Sequence, residues 1–288
     1  MGHQDSVFAA LHRSVLLASL SGREWRGATA VDGRARGGHG AAMTIDLRTF
    51  PRDDVVMDGT GPADWLKPGA LIDSDHPTVT AWARDIVGES GDPREKSLRL
   101  YHAVRDDIRY DPYTTPLRPD AYKASATLAA RHGYCINKAG LMAAACRAVG
   151  VPARVGYADV RNHMTTKRMT EFMGTDVFYF HGYVDIGLEG RWIKATPAFN
   201  RQLTERFGLK PLEWDGRSDS IYHPYDMAGR RHMEYLAYRG VYADIPFDTI
   251  AECFRREYPR MHVAMSGGAI EGDFGAEGEA ETKAAARP

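Results

Sequence analysis

One stretch of this chain limits its possible folds more than any other. From Cys135 to Val149 the residues are rich in Ala, Leu and Met, contain no proline, and stop at Gly150-Val151-Pro152. Glycine just past a helix end, with proline soon after, is a stop signal, so the pattern predicts a helix that opens at Cys135. A helix this apolar must be covered on most sides, and the rest of the fold has to be built around it. Its first residue is a cysteine. Helix N-termini present unpaired N–H groups and a partial positive charge, which favour thiolate over thiol.

The flanking segments supply the cover. Asp75-His76-Pro77 opens a helix over 78–88 in which Val79, Trp82, Ile86 and Val87 recur at helical spacing. Asp92-Pro93 opens a second, with Asp placed to cap and Pro in the first turn. Leu98, Tyr101, Val104 and Ile108 form its apolar stripe, and Tyr110-Asp111-Pro112 ends it. A short helical piece is expected near 121–130. Downstream, 153–158 reads as a strand, and 177–186 with 191–195 as a hairpin turning at Gly187-Leu188-Glu189-Gly190. His181 lies in the first arm, on one face with Tyr183 and Asp185. A helical or irregular segment is expected around 231–238 and a last helix near 248–257. These elements specify an α+β fold.

Composition excludes several classes. With 37 Lys+Arg against 38 Asp+Glu the net charge is −1, so nothing global draws the chain to nucleic acid. No run approaches the ~20 apolar residues of a membrane helix. Three cysteines (Cys135, Cys146 and Cys253) are too few for a disulfide scaffold and point to a reducing, cytoplasmic setting. Residues 1–42 read as a disordered leader upstream of a second methionine at Met43, with a transit or export signal as the alternative. The expected organisation is a single domain over 43–265 with its core at 75–200. The Gly/Ala/Glu-rich stretch 266–288, whose one aromatic is Phe274, is expected to be a disordered tail.

A helix-opening Cys, then a strand, then a hairpin carrying His is an order suited to nucleophilic catalysis. A thiol needs an imidazole to take its proton, and the imidazole needs a third group to set its tautomer. A lone buried Cys is ordinarily a small hydrophobe and a lone strand His an ordinary sheet residue; it is their combination that marks Cys135 and His181. Cys146 falls eleven residues along the same helix, ~16 Å away by helical rise, and reads as core. Cys253 reads as helix packing. Lys138 reads as a solvated or substrate-facing charge, and Asn137 as lining a pocket. The Tyr134 and Cys135 N–H groups, with Gly133, are candidates for an oxyanion site. His163, His223 and His232 lack the spacing of metal ligands, so no metal and no cofactor is expected. The segment from His223 to Asp226 and from Arg230 to Tyr235 reads either as surface packing or as a lid over the cleft.

Several motifs in order carry a family resemblance. Asp92-Pro93-Arg94-Glu95-Lys96 through Ile108-Arg109-Tyr110-Asp111-Pro112 resembles the lead-in helix of bacterial transglutaminase-like proteins. His132-Gly133-Tyr134-Cys135 and Arg147-Ala148-Val149-Gly150-Val151-Pro152-Ala153-Arg154 resemble their nucleophile helix and its "R-x-x-G-[IV]-P-A-R" exit. Phe180-His181-Gly182-Tyr183-Val184 resembles the "H-A-W-V" strand, and Trp192 followed by Thr196-Pro197 resembles "W-x-x-x-D-P-T". The resemblance implies a papain-like core with a nucleophile helix packed on an antiparallel sheet, a Cys-His-Asp triad and thioester chemistry.

At the third triad position this sequence departs from the family, with Thr196 where the family has Asp. A hydroxyl can accept from the imidazole but cannot stabilise imidazolium as a carboxylate does. Asp159 and Asn200 are the other candidates for orienting His181; Asp185, four residues along the strand at ~13 Å, is too far for a direct bond and reads as a possible pocket residue. The expected activity is cysteine-dependent acyl transfer from a peptide, protein or small amide substrate. Hydrolysis (amidase or protease) is favoured over transfer to an amine. The alternative is a catalytically impaired module that keeps the scaffold for binding.

Overall fold

The helix that opens at Cys135 organises the structure. The computed structural model describes residues 62–163, 165–221, 233–268 and 270–285; the expected leader 1–42 and the segment 222–232, with His223 and His232, lie outside them. Helices α1 (Pro77–Val87) and α2 (Pro93–Asp107) begin at prolines, as the pattern predicts. Asp92 accepts a hydrogen bond from the Arg94 N–H at 3.1 Å and caps α2. The chain then extends into β1 (Arg109–Tyr110). After a 3-10 turn at Pro119–Tyr122 and helix α3 (Ala124–Ala130), it pairs β2 (His132–Gly133) with β1 in parallel. This small ribbon delivers the chain to α4 (Cys135–Ala148).

Helix α4 is buried from Cys135 to Arg147. That includes Lys138, which is fully buried rather than solvated or facing substrate. Its Nζ donates to the carbonyls of Arg105 and Ile108 at 3.0 and 2.6 Å, satisfying oxygens left open at the end of α2. Arg147, at the other end, donates to the carbonyls of Ala153, Lys67 and Ala243. A nearly charge-free helix thus uses its lysine and its arginine to tie neighbouring backbone ends to itself.

The sheet beside α4 has the order β5-β4-β3-β6 and is antiparallel throughout. Its strands are β3 (Ala153–Asn162), β4 (Val177–Leu188), β5 (Arg191–Ala195) and β6 (Met233–Tyr242). Helix α5 (Lys167–Met173) links β3 to β4, and α6 (Arg201–Arg206) follows β5. Helices α7 (Phe247–Glu257), α8 (Pro259–Gly267) and α9 (Phe274–Ala285) complete the described chain. The fold is α+β, with the cysteine-bearing helix packed on an antiparallel sheet. No described helix is long and apolar enough to cross a membrane.

Two segments differ from expectation. Residues 233–242 form β6 rather than a helical or irregular piece, because β3 has an open edge that this segment covers. The pairing is long-range, so local periodicity gave little sign of it. Residues 274–285 form α9 where a disordered tail was expected. Phe274 is buried, stacks on Phe207 with centroids 5.4 Å apart, and meets Tyr113 edge-on. One aromatic anchor and the bonds of Glu277 hold a helix that its small, polar composition would not stabilise alone.

Candidate active site

Strand β4 meets the start of α4 at Gly182. A Cβ at that position would stand 3.0 Å from the Cys135 carbonyl oxygen and 3.1 Å from the Ile136 Cα. Lack of a side chain therefore lets strand backbone approach helix backbone at the turn that carries the thiol. Just ahead of His181, Phe180 adopts a left-handed conformation (φ 55°), beside a register shift between Ala158 and Val160 of β3. The Phe180 N–H, freed by this irregularity, donates to Asp159 at 3.2 Å. The kink that sets His181 is thus fixed by a buried carboxylate.

Cys135 and His181 line one cavity of about 30 Å³. Its other walls are Tyr110, Pro112 and Tyr134, Met169 and Met173 of α5, Phe178 and Tyr179 of β4, and Phe254, Tyr258 and Met261 from α7, α8 and the link between them. Room for about one water remains. Cys135 is 5% exposed and His181 3%. Burial pushes the Cys135 thiol up to about 11, while the N–H groups of Gly182, Ile136 and Cys135 itself pull the other way. The sequence-based expectation of a lowered thiol is not met in this closed arrangement. A helix terminus contributes ~0.3–1 kcal/mol, up to about 2 when partly buried, and loss of solvent outweighs it here.

The candidates for the third position separate clearly. Thr196 is 1% exposed, and its Oγ1 has no hydrogen-bond partner among the described residues. Extending the β4–β5 register one residue beyond Val184–Ala195 sets it opposite Tyr183 and diagonal to His181. Asp159 is occupied elsewhere: besides Phe180 it binds the Arg239 guanidinium at 2.6 and 2.9 Å. Asp185 accepts from Arg154 at 3.1 Å and from Lys194 at 3.0 Å, and Arg154 stacks on Trp192 and Trp65. That buried carboxylate holds three strands together. Asn200 accepts from the Tyr110 N–H at 3.2 Å and lines a second cavity of about 250 Å³ with Arg109, Asp111, Arg206 and Asp273. Tyr110 belongs to the walls of both cavities.

Near the thiol, Asn137 is a cap rather than a pocket residue. Its Oδ1 accepts from the Tyr134 N–H at 3.4 Å and its Nδ2 donates to the Ala121 carbonyl, so the Tyr134 N–H is taken from the expected oxyanion group. The Tyr134 hydroxyl bonds that of Tyr122 at 2.7 Å. His163 lies 3.4 Å from Glu234, and among the described residues no cluster could hold a metal ion. Cys146 and Cys253 are buried and free. The sequence reading missed Tyr110 and the three cavity methionines. The Tyr-Asp-Pro stop of α2 pointed at Tyr110; Met169 and Met173 left no signal, since α5 is too short for a clear period, and Met261 comes from α8, distant in sequence from the rest of the site.

Comparison with known proteins agrees with the resemblance read from the motifs. Residues 80–197 match the model of the transglutaminase-like superfamily. Similar solved structures include a candidate cysteine protease from Cytophaga hutchinsonii, at 19% identity and TM-score 0.37, covering 68% of this chain and 50% of that one. The periplasmic domain of TgpA from Pseudomonas aeruginosa follows at 19% and 0.34, covering 48% of each chain. The arylamine N-acetyltransferase from Mycobacterium abscessus stands at 17% and 0.32, covering 46% of this chain and 47% of that one. The chain spans about half the length of each of these structures. No curated protein matches it. The match to the transglutaminase-like superfamily thus falls on the segment that carries α4, β3, β4 and β5.

Proposed function

We propose that this protein is a cysteine-dependent acyl-transfer enzyme in which Cys135 is the nucleophile and His181 its base. The observation that carries the reading is the shared cavity: the thiol at the start of α4 and the imidazole on β4 line the same small space. In this reading His181 takes the thiol proton as the sulfur adds to the carbonyl carbon of an amide or ester. The leaving group then departs with that proton, and a thioester remains on Cys135. Thr196, diagonal to His181 on the neighbouring strand and with its hydroxyl unbonded among the described residues, is the group that would turn to orient the imidazole once substrate is bound, in place of a carboxylate. Water is the favoured acceptor, giving hydrolysis of a peptide, protein or small amide; an amine is the other. The chemistry needs no cofactor, and three buried free thiols suit the reducing interior of a cell.

Two observations favour a second reading, a binding module with impaired catalysis. Thr196 stands where the superfamily motif has a carboxylate, and burial pushes the Cys135 thiol up to about 11. A reactive ester separates the two. With p-nitrophenyl acetate the enzyme reading expects a burst of p-nitrophenolate and an acetyl adduct on the Cys135 peptide, both lost in Cys135→Ala. Turnover that survives in Cys135→Ala, or no adduct at Cys135, would overturn it.

A further inference from the structure

The cavity beside Cys135 has a chemical character that the proposed reaction alone does not require. Among the described residues twelve line it; none of these is Asp, Glu, Lys or Arg, and His181 is their one imidazole. Two of its phenols have partners: Tyr134 bonds Tyr122, and Tyr258 donates to the Val177 carbonyl at 2.8 Å. Three walls are methionines, Met169, Met173 and Met261, each buried. About 30 Å³ holds a water but no acyl chain, so a side chain must move before substrate enters. Methionine is the side chain best suited to that, being unbranched and soft.

Helix α5, which carries Met169 and Met173, has its own attachments. Thr166 caps it, and Arg168 reaches Glu277 of α9 at 2.6 Å and the Glu271 carbonyl. It is a short wall held at one end by polar bonds.

We propose that this cavity is the acyl-group site and that it selects an uncharged, apolar acyl chain, with Met169, Met173 and Met261 as its yielding wall. The proposal rests on the acyl-transfer reading and narrows its substrate class. In the step, the Cys135 Sγ forms a bond to the acyl carbonyl carbon and the bond from that carbon to the leaving oxygen breaks. The leaving group carries off the proton that His181 took from the thiol. Water then cleaves the thioester to the free acid and the thiol, with no change of oxidation state. A carboxylate on the chain would enter a space to which no described residue brings a cation, a burial that proteins ordinarily avoid. Each added methylene gains about 0.8 kcal/mol of transfer free energy, which is about fourfold in kcat/KM while the chain still finds wall.

The test uses the full-length protein and p-nitrophenyl acetate, butyrate, hexanoate and the monoester of adipate, with the acyl adduct located by peptide mass. The expected result is kcat/KM at least tenfold higher for hexanoate than for acetate, and at least tenfold higher for hexanoate than for the adipate monoester. Met173→Gln should lower the hexanoate-to-acetate ratio several-fold. Equal rates for hexanoate and adipate, or no rise with chain length, overturn the proposal through wild-type protein alone; an unchanged ratio in Met173→Gln removes the methionine wall. Adducts on Cys135 without chain selectivity would leave the acyl-transfer reading standing. No adduct on Cys135 from any ester removes both.

Discussion

Helix α4 carries a cysteine near each end, and the two ends have opposite surroundings. At its first residue, Cys135 faces a cavity, three N–H groups and a strand that approaches through Gly182. Three turns later, Cys146 is sealed in the core near Ser97 and Arg147, and burial pushes its thiol up to about 12. Residue type and helix are shared, and both thiols are raised by loss of water. What differs is what meets the sulfur: one end offers backbone N–H groups, an imidazole in the same wall and space, the other packed side chains and the Ser97 hydroxyl. Chemistry at a helix terminus comes from that terminus, and the interior of the same helix is only support.

Four changes would break or sharpen this contrast. Lys138→Ala acts on both ends, since it removes two buried hydrogen bonds and leaves a cavity beneath the end of α2. It should cost about 3 kcal/mol in urea unfolding, and a loss under 1 kcal/mol would show that the buried lysine is not a structural tie. Gly182→Val acts on the Cys135 end alone. With backbone atoms 3.0–3.1 Å from the added Cβ, it should cost about 2 kcal/mol and suppress Cys135 labelling while Cys146 stays unlabelled.

Alkaline pH tests the two thiols together. Their folded pKa values are raised above the ordinary thiol value of 9.0, so their contribution to stability is complete below pH 9 and is lost as pH rises through about 11 for Cys135 and about 12 for Cys146. By pH 10 the loss should approach ~1 kcal/mol per thiol. Replacing Cys146 by Ala should remove its share of the slope, and an unaltered slope would contradict the burial argument. Smallest is Glu277→Gln, which weakens the hold of α9 on α5 by up to about 1 kcal/mol. Cys135 alkylation should rise two- to fivefold with Cys146 unchanged; equal rises at both would mean general loosening.

Much of this arrangement was legible in the sequence because its signals are local. Asp92-Pro93, Gly150-Val151-Pro152 and the 187–190 turn each write a boundary into adjacent residues. The order Cys135, strand, His181 likewise pointed to two residues that share a cavity. What was hidden depends on distant partners. Asp185 looked like a possible member of the site until Arg154 and Lys194, from the strands on either side, proved to bind it. Lys138 looked solvated until the end of α2 arrived over it. Strand β6 needed an edge of β3 to pair with, and α9 needed Phe207 and Tyr113 around Phe274. None of these partners can be read from the segment that needs it.

The pairing of Cys135 with His181 is the central claim, and thiol alkylation near neutral pH measures it most directly. Iodoacetamide rates for Cys135, Cys146 and Cys253, resolved by peptide mass, should show Cys135 fastest in the wild-type protein and slowed at least tenfold in His181→Ala. Labelling of Cys135 no faster than of the other two, or a rate untouched by removal of the imidazole, would contradict it.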